Sequence, residues 1–354
     1  MLNSEKAMLA MNDIDDLHLE SARQMLGYRT GKEAKHNARR RIITLALVAA
    51  LILALGAAAY AIGVHSGFFQ LVFGKGLHGR DAFDVEIRDE NGNVMKTEHY
   101  PAIEREEVNE ELAENLTGVY IASIGQSAAA GNYTFTIKEA LVDENGIGAF
   151  TVHVSNPDGH GLVLGGNYGP GGHQPFSWRL FPEGDEMHFL DERDYVQPDS
   201  LSETEADIVF YFTPFTPLPK DTGLIASFSV FTEGVGFQKW PKAELTIPAH
   251  EKLPSRTLAG EGTSAYLSSV GIVLHEDTHE RDEAILESIR LIFEDGTEYT
   301  LIAPDLVNFS VASRSPDGLN VYYSFNRLCD AERVKEIYIS SSLHGSETVS
   351  RTLR

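Results

Sequence analysis

Hydrophobic and polar positions change their period along the chain, and each change predicts a different element. From Ile42 to Val64 no residue is charged (IITLALVAALILALGAAAYAIGV). As a helix rising 1.5 Å per residue this run covers roughly 34 Å, enough for a ~30 Å hydrocarbon core. It predicts a transmembrane helix over 42–64, with Tyr60 near one interface. Ala46, Ala50, Ala54 and Ala58 recur four apart and give it one small-residue face. Before the run, Asp13 can cap a helix whose stripe is Ile14, Leu17, Ala22, Met25 and Leu26. After it, Ala102–Leu116 (AIEREEVNEELAENL) has helical spacing and predicts an acidic helix facing Ile103, Val108, Leu112 and Leu116 inwards.

From Val119 onwards the pattern is that of strands. Short apolar or alternating runs are expected as strands at Val119–Ile124, Tyr133–Val142, Gly148–Ser155, Phe176–Phe181, Met187–Asp191, Ile208–Phe212, Leu224–Phe231 and Ala243–Ile247. Pro248–Pro254 (PAHEKLP) reads as a linker. A second series follows at Tyr266–His275, Ile285–Phe293, Glu298–Leu301, Val307–Ala312, Val321–Phe325 and Val334–Ser340. Asn145-Gly146 between two strands is hairpin chemistry, Asp295-Gly296 and Asp317-Gly318 mark tight turns, and Asp89–Asn93 suggests a further hairpin. The expected fold class is mainly β: one transmembrane helix, then an extracellular acidic helix and two β-sandwich-like regions. The expected divisions are a tail at 1–41, the span at 42–64, a juxtamembrane stretch with the acidic helix at 65–117, one β domain at 118–250 and another at 251–354. Residues 102–354 are expected to fold alone.

Charge adds an orientation. The chain has 29 Lys+Arg, 52 Asp+Glu and a formal charge of −23. Residues 1–41 hold 8 basic against 6 acidic groups, and residues 65–354 hold 21 against 46. Lys32, Lys35, Arg39, Arg40 and Arg41 precede the apolar run, so the positive-inside rule puts the N-terminus in the cytoplasm and the C-terminus outside. The predicted location is the cell membrane, with the lipid bilayer as first partner. Such acidity argues against binding nucleic acid. A single cysteine, Cys329, excludes an internal disulfide framework and a Cys-rich zinc module. It is expected to be a buried small hydrophobe.

Few residues suggest chemistry. His275-Glu276-Asp277-Thr278-His279 matches H-E-x-x-H, which binds zinc when both histidines lie one turn apart on a helix and the Glu activates water. Here a strand-like SVGIVL precedes it and no apolar stripe follows, so His275 and His279 are weak metal candidates and a surface loop is expected. Gly165–Gly172 lacks the Lys-Ser/Thr of a phosphate loop. With His160, Tyr168, His173 and Trp178 nearby, it is the candidate ligand-binding rim, represented by Tyr168, His173 and Trp178. No lipase-type serine motif or calcium loop is present, and no cofactor and no catalytic residue is expected.

The order of features carries a resemblance. Met11-Asn-Asp-Ile-Asp-Asp16 precedes the apolar run; Tyr120-Ile-Ala-Ser-Ile-Gly-Gln-Ser127, Tyr133–Ile137, Asp143–Gly146, Tyr323–Leu328 and Val334–Tyr338 follow. This resembles single-span Gram-positive bacterial membrane proteins with an extracytoplasmic domain of unknown function, some of them anti-sigma-factor-like. The resemblance implies a non-catalytic envelope sensor or regulator, its tail residues Ile14, Leu17, Met25 and Leu26 contacting a sigma factor or other cytoplasmic regulator. It supplies no catalytic residues. An extracellular module binding cell-wall glycan or a protein, and a zinc peptidase built on His275, Glu276 and His279, are the alternatives.

Overall fold

The computed structural model describes residues 66–74, 81–88, 94–104, 107–158, 176–186, 190–196, 200, 202, 204–219, 221–232, 236–260, 262–277, 284–343 and 348–354. Its elements are α1 (Ser66–Phe73), β1 (Phe83–Arg88), β2 (Val94–Tyr100), α2 (Glu110–Thr117) and strands β3 to β20. The mainly β character holds, but the expected transmembrane helix does not appear. Among the described residues no helix is long and apolar enough to cross a membrane. Both α-helices have eight residues, or about 12 Å of rise. The segment Ile42–Val64, to which the sequence assigns the span, lies outside the described residues.

The first sandwich pairs a five-stranded sheet with a three-stranded one. The larger sheet has the order β3-β4-β5-β8-β7, with β3 at Ala122–Ala130, β4 at Tyr133–Val142, β5 at Gly148–Ser155, β7 at Asp191–Val196 and β8 at Glu205–Thr213. The smaller has the order β10-β9-β6, with β6 at Phe176–Pro182, β9 at Leu224–Val230 and β10 at Lys242–Ile247. Alternation sends Phe135, Ile137, Phe150, Val152, Ile208 and Phe210 from one sheet, and Trp178, Leu180, Ala226, Phe228 and Leu245 from the other, into one core. Phe135 stacks on Phe228 at 4.5 Å, and Phe150 on Phe210 at 4.9 Å. A bulge between Ile137 and Glu139 shifts the phase of β4, so that Ala140 and Val142 continue inwards.

The second sandwich has two five-stranded sheets. One has the order β11-β12-β13-β18-β17: Arg256–Gly260, Thr263–Leu267, Gly271–Glu276, Asn320–Phe325 and Phe309–Arg314. The other has the order β16-β15-β14-β19-β20: Leu306–Val307, Glu298–Ala303, Ala284–Phe293, Val334–Leu343 and Thr348–Leu353. Leu267, Ile272, Phe325, Ile289, Leu291, Tyr299, Ile337 and Cys329 lie in its core. The expected strand Tyr266–His275 is in fact two. The Ser268 hydroxyl accepts the N–H groups of Val270 and Gly271 (3.2 Å each) and closes a turn there.

What joins the sandwiches is an apolar layer. The outward residues Leu141, Ala149, Val209 and Tyr211 form an apolar half-face on the larger sheet of the first sandwich. Phe68, Phe69, Val72 and Phe73 of α1, Leu253 of the linker, and Val270 and Val311 of the second sandwich cover it. The four α1 side chains are at most 2% exposed. Burying such side chains is worth roughly 1.5–3 kcal/mol each. The Tyr211 hydroxyl donates to the Val72 carbonyl, and the Gln70 amide donates to Glu110 Oε1 on α2 (2.8 Å).

The acidic helix is shorter than expected. Ala102 instead bridges to Leu306 in parallel, exchanging backbone bonds with Asp305 and Val307 (2.9 Å each). The Asn109 side chain then accepts the Leu112 N–H (3.1 Å) and starts α2 at Glu110. That start sets the buried face at Ala113 and Thr117, and leaves Leu112 38% exposed.

The expected autonomy of residues 102–354 can be tested against this arrangement, in which α1 side chains help fill the junction. A fragment spanning 61–354 should melt cooperatively, whereas one beginning at 102 should melt many degrees lower and bind hydrophobic dye. Phe69→Ala should cost about 3–5 kcal/mol by chemical denaturation. Equal stability of the two fragments would remove α1 from the junction.

Candidate functional site

One end of the first sandwich gathers the features that suit recognition. Phe176 opens β6 and pairs with Val230, the last residue of β9. The Val230 N–H donates to the Pro241 carbonyl (2.9 Å), just before β10. Antiparallel pairing thus makes Phe231 and Trp240 the next facing residues. Their ring centroids are 5.2 Å apart at 77°, edge to face. Phe231 is 57% exposed and Trp240 half-buried. The β3–β4 turn lies beside them. Gly131 takes φ +57° there, with the position of a Cβ 3.8 Å from the Pro241 ring. Its neighbour Asn132 donates from the side chain to Asp158 Oδ2 (2.6 Å). A partly exposed aromatic pair and an Asn–Asp polar pair therefore share one end of the sandwich.

Of the residues that the sequence assigns to this rim, Trp178 is described. It is 8% exposed, edge-on to Phe210 at 4.2 Å, and its indole N–H donates to Asp194 Oδ1 (3.3 Å). It packs the core and presents no face to a ligand. Tyr168, His173 and His160 lie outside the described residues, as do the tail residues Ile14, Leu17, Met25 and Leu26. Sequence reasoning missed Phe231 and Trp240. The available signal was an aromatic residue at the end of one apolar run and another just before the Pro that opens the next.

The H-E-x-x-H segment takes a different form from a zinc helix. His275 and Glu276 end β13, where successive side chains point to opposite faces. His275 Nδ1 lies 2.9 Å from Asn320 Oδ1. Glu276 Oε1 lies 3.3 Å from the Arg351 guanidinium, which occupies the carboxylate a peptidase would need as base. His279 lies outside the described residues. No group of three metal-capable side chains occurs among the described residues.

The other constellation is a cross-strand row, Ser127, Thr136, His153 and Asp207, on neighbouring strands of one sheet. His153 Nδ1 and Lys138 Nζ both reach Asp207 Oδ1, at 2.9 and 2.8 Å. Ser127 and Thr136 share a 2.8 Å hydrogen bond. Partial burial pushes the Asp207 carboxyl up, but the hydrogen bonds from Lys138 and His153 outweigh it and hold the group below its usual range. An ammonium ion already occupies the carboxylate, and the row lies on a pleated sheet face, so it reads as a cross-strand ion pair. A cavity of about 10 Å³ beside Leu218, Thr222 and His250 has room for one water at most. Cys329 is 2% exposed, and burial pushes its thiol up to about 12 against the opposing pull of Arg327.

No family model matches the chain, and no curated protein matches it. Among solved structures it is similar to a conserved domain protein from Bacillus anthracis, at 13% identity over 68% of this chain and 92% of that one, with a TM-score of 0.37. It is also similar to the Ig1–Ig3 ectodomain of mouse nectin-like molecule 4, at 10% identity over 64% of each chain (TM-score 0.20). A third likeness is to the N-terminal periplasmic domain of ScsB from Proteus mirabilis, at 8% identity over 65% of this chain and 98% of that one (TM-score 0.19). At these values none of the three carries a functional argument.

The two tryptophans should separate core from rim. Trp178→Ala should cost about 3–5 kcal/mol and Trp240→Ala less than about 1 kcal/mol, measured by denaturant unfolding. In the same samples Cys329 should react with a thiol reagent only once denaturant unfolds the second sandwich.

Proposed function

We propose that this chain is a non-catalytic recognition module whose first sandwich binds a glycan through Phe231 and Trp240. The observation that carries this reading is the near-perpendicular pair of an exposed Phe231 and a half-buried Trp240 at a sandwich end, held by a strand ladder on a rigid core. An aromatic face laid against the C–H face of a sugar buries apolar area without requiring the ligand to be charged. Asn132 and Asp158, beside the pair, supply polar edges for hydroxyl groups. The formal charge of −23 disfavours polyanions and leaves neutral or amino-bearing sugars as the favoured class. Binding by loops on a rigid β scaffold is common.

Full-length protein should co-sediment with insoluble peptidoglycan or retain a neutral glycan on an array. Phe231→Ala and Trp240→Ala should each weaken retention at least about tenfold without lowering the melting temperature by more than a few degrees. Retention unchanged in both variants would overturn the reading, and so would absence of retention on every neutral or amino-sugar polymer tried.

A further inference from the structure

We propose that Asp143 is a proton-operated latch between the two sandwiches, closed when its carboxyl is protonated and loosened when it ionises. Asp143 is fully buried in the turn between β4 and β5. Its Oδ1 accepts the N–H groups of Asn145 (2.9 Å) and Ile147 (2.8 Å). Its Oδ2 accepts the hydroxyl of Ser268 (2.7 Å), which belongs to the β12–β13 turn of the second sandwich. One carboxyl thus ties two turns from two cores. The contact is close: a Cβ on Gly271 would stand 2.7 Å from Ile147 Cγ2. Its surroundings are apolar, with Ile147, Val270 and Leu253 all buried nearby.

The charged groups around it are engaged elsewhere. On its own turn, Glu144 accepts the Ser255 N–H (3.3 Å). On the linker, Lys252 donates to the Pro219 carbonyl (3.0 Å) and His250 Nδ1 lies 2.9 Å from the Pro248 carbonyl. The turn Leu267–Gly271 carries no ionisable side chain. Behind it, Arg327 and Asp330 flank Cys329, whose N–H donates to the Ser269 carbonyl (3.0 Å). Burial is the dominant influence on Asp143. It pushes the carboxyl up to about 6, opposed by the hydrogen bonds from Ser268, Ile147 and Asn145.

The sign follows from this raised value. An opened junction returns Asp143 to water and to an ordinary acidity, so between about pH 4 and pH 6 the closed form holds the extra proton. Closure is therefore favoured at acid pH and lost progressively as pH rises through about 6. Protonation removes the buried charge, while Ser268, whose hydroxyl oxygen already accepts the Val270 and Gly271 N–H groups, remains the donor to the Asp143 carboxyl. The hydrogen bond between the turns is kept without a buried charge.

The test is amide hydrogen exchange of the full chain at pH 5 and pH 7.5, corrected for intrinsic rates. Protection at Ile147, Val270 and Gly271 should fall about tenfold between the two conditions. The ladder of β14 and β19 at Ile289 and Ile339 should keep its protection. Asp143→Asn, which has the shape of the acid and no charge to develop, should abolish the difference. Ser268→Ala keeps the carboxyl and removes its donor across the junction, so the difference at Ile147 should grow beyond tenfold. The latch is overturned if wild-type protection at these amides is the same at both pH values, if Ile289 and Ile339 move with them, or if Ser268→Ala leaves the difference unchanged.

Discussion

From Gly148 to Val152, every residue of β5 is buried, those facing the first core and those facing away from it alike. A strand buried on both sides obliges the rest of the molecule to supply a second apolar layer. Leu141, Val209 and Tyr211 on the flanking strands extend that demand over half of the outer face. The answer is composite: α1, Ala113 of α2 and Ile121 from before β3, Leu253 of the linker, and Val270 and Val311 from the second sandwich. Remove any of these and apolar area on the others returns to water. The two sandwiches therefore share a layer that belongs to neither core. Gly271 and Ile147, Asp143 and Ser268, Ser313 and Pro214, and Arg193 and Ser310 are among the places where the two surfaces meet.

Two polar groups of that layer are hydrogen-bonded across the junction. Ser313 donates to the Pro214 carbonyl at 2.7 Å, and Asp143 collects three donors. A buried acid in such a place costs stability unless it is hydrogen-bonded or neutral. Here it is hydrogen-bonded, and burial still pushes its proton affinity up. The cost falls on a turn that touches the second sandwich through Ser268, and the proposed coupling of junction to protonation acts at that contact.

The opposite end of the first sandwich is free of that constraint. Past Val230 and Pro241 the Phe231 side chain stands largely in water. Trp178 and Trp240 show the division. Both are tryptophans on strands or beside them, but one sits between Phe150 and Phe210 in the core and the other meets a largely exposed Phe231. The same contrast holds for the histidines. His275 is held by a cross-strand asparagine and His153 by a cross-strand aspartate, so both serve pairing between strands.

Alternation, Gly turns and β-branched runs made the strong strands legible. β4 and β5 coincide with the expected Tyr133–Val142 and Gly148–Ser155, and Gly146, Gly296 and Gly318 take the positive φ their turns require. Edge strands with an apolar run were legible, as Phe176–Pro182 and Lys242–Ile247 show, but three others were not. Arg256–Gly260, Asp191–Val196 and Thr348–Leu353 are polar or mixed, because an edge strand pairs on one side only and needs little hydrophobic signal. Helix spacing over Ala102–Leu116 was real but local, and a ladder to a strand two hundred residues away took its first turn. For the candidate site, sequence named Trp178 and not Trp240, since no periodicity separates a core tryptophan from one at the rim. By itself the sequence determined a mainly β chain, its principal strands and turns, its acidity and its lone cysteine, all of which depend on neighbours within a few residues. The role of SGFFQLVF as the filling of a junction, the burial of Asp143 and the pairing of Phe231 with Trp240 depend on surfaces distant in sequence, and only the tertiary structure decided them.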